Sequence, residues 1–268
     1  MSDQAKTAAT PVPAATVLLV RNGPDGMEVF MVVRHHQIDF ASGALVFPGG
    51  KTDPADFDPE LRALSSGAAP DAEALALQLS GIRECFEECG VLLARDARDD
   101  EPAPLVGGER LRTLQQYRDP LNAGTLKLKD FAEQHQLRFA ADRLTPFARW
   151  ITPPMMPKRF DTWFYLVDAP EDQLAIHDGQ ESVDSLWIRP QDAVAAAADG
   201  SRTIIFPTLR NLEKLALHTN VQQAMAAAAA APIVAVEPWT ERRGDESFLC
   251  IPTNAGYPVT EECMPPRG

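Results

Sequence analysis

Basic residues are scarce in this chain. Lys and Arg number 25 against 38 Asp and Glu, which gives a formal net charge of −13. So acidic a chain is poorly suited to holding nucleic acid or an anionic membrane through a basic surface. Cysteine is scarce as well, with only Cys85, Cys89, Cys250 and Cys263. Four are too few for a disulfide scaffold in a chain of 268 residues. The spacing of Cys85 and Cys89 is not that of a zinc knuckle either. Long apolar runs are missing: the stretch from Ala14 to Val20 is too short to cross a membrane. Residues 1–13 hold one Lys and no cleavage-like site, so they read as a flexible leader rather than a signal peptide. No repeat of solenoid period occurs. The expectation is a soluble cytoplasmic protein with neither nucleic-acid nor membrane partners. If its substrate is anionic, something must neutralise the repulsion, and a bound metal ion is one solution.

What is present is ordinary globular composition, 45% hydrophobic and 24% charged, enough to bury a sizeable core. Residues 16–34 read as a hairpin around the turn Asn22-Gly-Pro-Asp-Gly26. Ala44 to Phe47 is a short strand closed by Pro48-Gly49-Gly50. Residues 51–70 read as a loop, with one helical turn near Pro59–Leu64. Asp71 is placed to cap a helix over Ala72–Cys89, and Gly90 to end it. Two helices follow at Gly108–Arg118 and Lys129–Gln136, then strands at Ala148–Ile151, Arg159–Val167 and Ser185–Ile188. Helices are expected at Pro190–Ala198, Pro207–His218 and Gln222–Ala231, and tail strands at Ile233–Val236 and Ser247–Ile251. Strands and helices mix without regular alternation, which predicts an α+β fold with a mixed sheet.

The chemistry concentrates in Arg83-Glu84-Cys85-Phe86-Glu87-Glu88-Cys89-Gly90-Val91. On a helix, Glu84, Glu87 and Glu88 project together. Like charges so spaced repel by roughly 0.2–0.5 kcal/mol per pair. They also crowd the helix C-terminus, where the macrodipole disfavours anions by roughly 0.3–1 kcal/mol each. Only Arg83 offsets them within the helix. Two readings follow: a solvated acidic face, or a site for a hard divalent cation, which prefers oxygen ligands.

These nine residues match the second half of the Nudix box, R-E-U-x-E-E-x-G-U, with Cys85 in an apolar position. Phe47-Pro-Gly-Gly50 resembles its entry loop. Gly50 lies 33 positions before Arg83 where the usual pattern has 14, so 19 residues are inserted between loop and helix. The loop glutamate is replaced by Asp56. An inserted box of this kind resembles the Nudix branch that contains the peroxisomal coenzyme A diphosphatase of animals. Similar segments recur at 44–53, 149–153, 159–165, 206–213 and 256–258, so the resemblance spans roughly residues 15–260.

The resemblance implies a Nudix-type α/β/α sandwich with a mixed sheet. A single domain would occupy 14–260, enlarged by insertions near 57–75 and 96–140 and followed by a tail at 261–268. It implies a divalent-metal-dependent hydrolase that cleaves a diphosphate in a small nucleotide-type substrate, with CoA or acyl-CoA favoured. Mg²⁺ or Mn²⁺ would be held by Glu84, Glu87 and Glu88, with the Gly50 carbonyl as a further oxygen. Arg83 would pair with a glutamate and orient it. Glu84 and Glu181 both qualify as base, and Glu181 equally as a ligand or a surface acid. Lys158 and Arg159 meet a substrate phosphate, serve structure by pairing with Asp161, or lie exposed to solvent. Asp53 and Asp56 are outer ligands or turn formers. His35 and His36, beyond a strand, belong either to a substrate loop or to a plain surface loop. A homodimer is compatible with the family. The alternative is a non-catalytic Nudix-fold nucleotide-binding or regulatory module, motivated by Asp56 and the inserted loop; an acidic scaffold protein is the third reading.

Overall fold

The computed structural model describes residues 9–34, 43–100, 102–173, 175 and 182–264. The chain opens with the hairpin β1 (Val12–Gly23) and β2 (Gly26–Arg34), closed where Gly23 pairs with Gly26. Two short strands follow, β3 (Leu45–Val46) against β2 and β4 (Gly49–Lys51) against β1. After 3-10 turns at Pro54–Phe57 and Pro59–Arg62 come β5 (Ser65–Ser66) and helix α1 (Ala72–Cys89). Asp71 caps α1 by accepting the Ala74 N–H, and Gly90 ends it at φ 71°, a left-handed conformation that favours glycine.

Next are β6 (Ala94–Asp96), α2 (Gly108–Leu114), α3 (Arg118–Asn122), α4 (Leu128–Gln134) and β7 (Leu137–Ala140). The chain then returns to the main sheet with β8 (Thr145–Ile151), β9 (Phe160–Asp168) and β10 (Ser182–Ile188). Helices α5 (Pro190–Ala198), α6 (Phe206–Leu215) and α7 (Val221–Ala230) precede β11 (Ala235–Val236). The end folds as β12 (Trp239–Arg243), β13 (Glu246–Cys250) and β14 (Glu261–Met264).

The main sheet runs β10-β2-β1-β9-β8-β11. It is mixed, because β1–β9 and β8–β11 are parallel and the other pairs antiparallel. Alternation along β1 divides the core. Ala15, Val17 and Leu19 face Leu79, Ile82 and Phe86 of α1. Leu18 and Val20 face Ala193, Leu212 and Ala224 of α5, α6 and α7. Helices thus cover both faces of the sheet, the α/β/α layering that the resemblance implied. In β9 the same alternation sends Phe164 to one face and Tyr165 to the other.

The region between the box loop and β8 departs from the sequence reading. The helix expected at Gly108–Arg118 is broken at Gln115 into a 3-10 turn before α3. The one expected at Lys129–Gln136 stops at Gln134, because Gln136 takes φ 51° and releases the chain into β7. Strand β7 joins β5 and β6 in a second sheet, so the two expected insertions pack on each other. Strand β1 begins at Val12, inside the stretch read as leader, and β14 lies inside the stretch read as tail. Strands β12 and β14 lacked a sequence signal because they are short, largely exposed and rich in charged residues. Among the described residues no helix is long and apolar enough to cross a membrane.

Behind the sheet, the Trp150 indole N–H donates to the buried Tyr257 hydroxyl at 2.8 Å, and that hydroxyl donates to Asn211 Oδ1 at 2.8 Å. Tyr257→Phe should therefore lower stability by about 1–3 kcal/mol, since two buried polar atoms lose their partner. An unchanged urea-unfolding midpoint would contradict this.

Candidate active site

The box helix brings its carboxylates to the strand-loop junction at Gly49-Gly50. Helical spacing puts Ser80, Arg83, Glu84, Glu87 and Glu88 along one side of α1. That side lies against β4. The Gly49 N–H donates to Glu88 Oε2 at 2.9 Å. Gly50 is pressed against Glu84: a Cβ there would come within 2.5 Å of Glu84 Oε1. Only a residue without a side chain allows this approach.

Arg83 is the hub. Its Nε and Nη2 donate to the two oxygens of Asp56, both at 3.1 Å. Nη1 donates to Glu84 Oε1 at 2.8 Å and to Glu87 Oε2 at 2.9 Å. Nη2 also reaches the Lys51 carbonyl at 2.9 Å and Ser80 Oγ at 3.3 Å. Burial works against the guanidinium charge, but Glu84, Asp56 and Glu87 outweigh it and hold the proton firmly. The expectation that Arg83 pairs with a glutamate is met twice over.

Asp56 answers the question raised by its substitution for the box glutamate. It is buried and closes a capping box, accepting the Asp53 N–H at 2.8 Å while Asp53 accepts from Ala55. Burial raises its pKa, opposed by Arg83. It fixes Arg83 from the loop side, and Asp53 is a turn former.

Glu87 is 3% exposed, and its Oε1 is buried without a hydrogen-bond partner. Burial pushes its carboxyl up to about 8, against the pull of Arg83 and with the push of Glu84. A lone buried carboxylate oxygen is costly unless something binds it. The donor set, all carboxylate and carbonyl oxygen, suits a hard divalent cation. Among the described residues no three Asp, Glu, His or Cys side chains already converge on one metal position. Glu84 and Glu87 instead share Nη1 of Arg83, whose single charge offsets part of the repulsion among the acids around it.

The helix C-terminus receives a cation that the local sequence did not reveal. Arg118 of α3 donates from Nε to the Glu87 carbonyl at 3.1 Å, and Gln115 donates to the Gly90 carbonyl at 2.8 Å. Both satisfy end carbonyls, and the charge of Arg118 opposes the negative dipole. They come from a segment some 25 to 31 positions away, so no local pattern could have shown them.

Other expected residues lie elsewhere. Arg159 is committed to structure: Nε donates to the Thr152 carbonyl, Nη1 to the Ala9 carbonyl and Nη2 to Glu237. Its partner is Glu237 rather than Asp161, which is held by Arg149. These bonds fit the structural one of the roles expected for Arg159, with Glu237 in the place expected of Asp161. Lys158 is exposed on the turn between β8 and β9. Glu181, His35 and His36 lie outside the described residues.

Comparison with known proteins gives a consistent picture. The sequence matches the family described as the NUDT19 Nudix domain over residues 62–215, more than half of the chain. The acyl-coenzyme A diphosphatase NUDT19 of Gallus gallus is 28% identical over 213 residues, covering 64% of this chain and 56% of that protein. The Homo sapiens protein of the same name is 27% identical over 215 residues, covering 63% and 55%. The chain thus spans about half the length of the curated relatives it matches. The crystal structure of a NUDIX hydrolase from Alicyclobacillus acidocaldarius superposes with a TM-score of 0.70 at 28% identity, covering 84% of this chain and 99% of that one.

Two outcomes follow from the geometry. If the box glutamates take a divalent cation, Gly50→Ala should leave the circular dichroism spectrum intact while weakening saturable Mn²⁺ binding about tenfold or more, because the methyl displaces Glu84. Strong binding by this variant would contradict the arrangement. The second concerns Glu87. Its folded-state pKa, about 8, stands above the ordinary 4.5, so the native state keeps a proton that the unfolded chain releases. Stability of the metal-free protein should therefore fall as pH rises through that window. Glu87→Gln should flatten this slope in urea titrations with EDTA.

Proposed function

The chain belongs to the Nudix hydrolases, in the family described as the NUDT19 Nudix domain, and from that premise we propose that it is a pyrophosphohydrolase dependent on Mg²⁺ or Mn²⁺. Its reaction is cleavage of the diphosphate linkage in a nucleotide-type substrate. CoA or an acyl-CoA is the favoured substrate, in line with the activity named for the chicken and human relatives. The observation that carries the reading is the box constellation: Glu84 and Glu87 on Arg83, Glu88 on the Gly49 N–H, and Gly50 packed against Glu84.

In this reading Glu84, Glu87 and Glu88, with the Gly50 carbonyl, would hold the divalent cation, which would supply charge neutralisation of the diphosphate and a lowered pKa of water. The protein's own groups do the positioning. Arg83 fixes the direction of Glu84 and Glu87, and Asp56 fixes Arg83 from the loop. The Gly49 N–H sets Glu88. Glu84 takes the proton of the attacking water, or Glu181 does so from the segment before β10. Catalysis is then mainly orientation and electrostatic stabilisation. The bonding of Asp56 also supports the enzyme over the non-catalytic module, since the substituted acid still secures the box arginine.

The test is a panel of CoA, acyl-CoA, dinucleotides, nucleotide sugars and nucleoside triphosphates with Mg²⁺ and Mn²⁺, products read by mass. Two phosphomonoester products from CoA or an acyl-CoA are expected, and Glu88→Gln should abolish them in a folded protein. Binding without turnover across the panel would favour the regulatory module. Full activity of Glu88→Gln would overturn the metal assignment.

A further inference from the structure

The segment 118–128, part of the expected insertion, walls a hollow beside the box. Asp53, Asp56 and Arg83 line it on the box side, and Asn122, Leu126 and Lys127 on the other. The hollow begins where the glutamate cluster ends, because Arg83 borders it while bonding Glu84 and Glu87. Its outer wall is well fixed. Arg118 is tied to the Glu87 carbonyl, and Leu121 and Leu128 are buried. Between them, the Thr125 and Leu126 N–H groups both donate to the Pro120 carbonyl at 3.0 Å.

The two cations in this lining differ. Every nitrogen of Arg83 is committed to carboxylates, the Lys51 carbonyl or Ser80. Lys127 faces Asp53 with Nζ 3.8 Å from Oδ1, an ion pair beyond hydrogen-bond reach. Both side chains are about half exposed, at 50% and 43%. The ammonium therefore retains donors for an incoming anion. In a chain of net charge −13, a cation beside the box also offsets the field that repels an anionic substrate.

We infer that Lys127 is a specificity residue that binds a phosphomonoester carried by the substrate outside its diphosphate. The inference rests on the proposed diphosphate substrate and deepens it: the hollow selects nucleotides with a further phosphate on the side of the insertion. Lys127 acts on binding and orientation, while the box carries the chemistry. Its contribution is one charge-assisted contact, on the order of tenfold in affinity.

The experiment compares binding of adenosine 3′,5′-bisphosphate and adenosine 5′-monophosphate to the full chain by calorimetry with Mg²⁺, for the wild type, Lys127→Ala and Lys127→Arg. The wild type should prefer the bisphosphate about tenfold, Lys127→Ala should erase the preference, and Lys127→Arg should retain most of it. Loss in Lys127→Ala should leave monophosphate binding unchanged, which a folding defect would not do. A wild type without preference, or a preference that survives Lys127→Ala, overturns the inference. In parallel, CoA and 3′-dephospho-CoA are tested as substrates: Lys127→Ala should raise KM for CoA about tenfold, with kcat and dephospho-CoA kinetics unaltered. A Lys127-dependent preference in binding without cleavage of any diphosphate would uphold the inference and overturn the hydrolase reading instead.

Discussion

A single buried guanidinium organises this end of the molecule. Three carboxylates, from Asp56, Glu84 and Glu87, meet on Arg83 in a region largely shielded from water. Without that charge, the acids would repel each other at low dielectric, and the loop would separate from the helix. With it, the loop that enters the box and the helix that completes it are joined despite the 19 residues inserted between them. The glycine pair then works because the helix is already close: Gly49 offers its N–H to Glu88 and Gly50 leaves room for Glu84. The arrangement is polarised. One oxygen of Glu87 is taken by Arg83, and the other is buried with no hydrogen-bond partner.

The acidic helix end also draws support from outside itself. A helix with carboxylates in its last turns is poor on local grounds. Arg118 and Gln115 reach back from the inserted helices to its terminal carbonyls, and Gly90 provides the left-handed exit. The insertion therefore has a structural duty at the box as well as forming a wall beside it.

Much of this was legible in the residues because its signals are local. Asp71 and Gly90 marked the ends of α1, and alternation marked the hairpin of β1 and β2. The nine residues from Arg83 to Val91 carried the box, and Asp56 stood at the loop position where an acid was expected. What the residues did not show depends on long-range pairing. The bonds of Arg159 to Ala9 and Glu237 span 150 and 78 positions. Strand β7 becomes a strand only because β5 and β6 flank it. Gln173, buried and bonded to the backbone of Leu92 and Val106, likewise has no local signature.

The small sheet β5-β7-β6 sets a limit on modularity. One of its strands lies between the box loop and the box helix, and the other two lie beyond that helix. The Phe139 N–H donates to the Leu64 carbonyl at 2.8 Å, and Lys129 pairs with Glu60. Neither inserted segment is a free-standing loop, since each supplies the backbone partners that the other lacks. Transplanting the first into a shorter relative would strand Ser65 and Ser66 without a ladder, and deleting the second would leave the box helix without its terminal partners. The two segments form one cooperative unit, so they can be exchanged between relatives only as a pair.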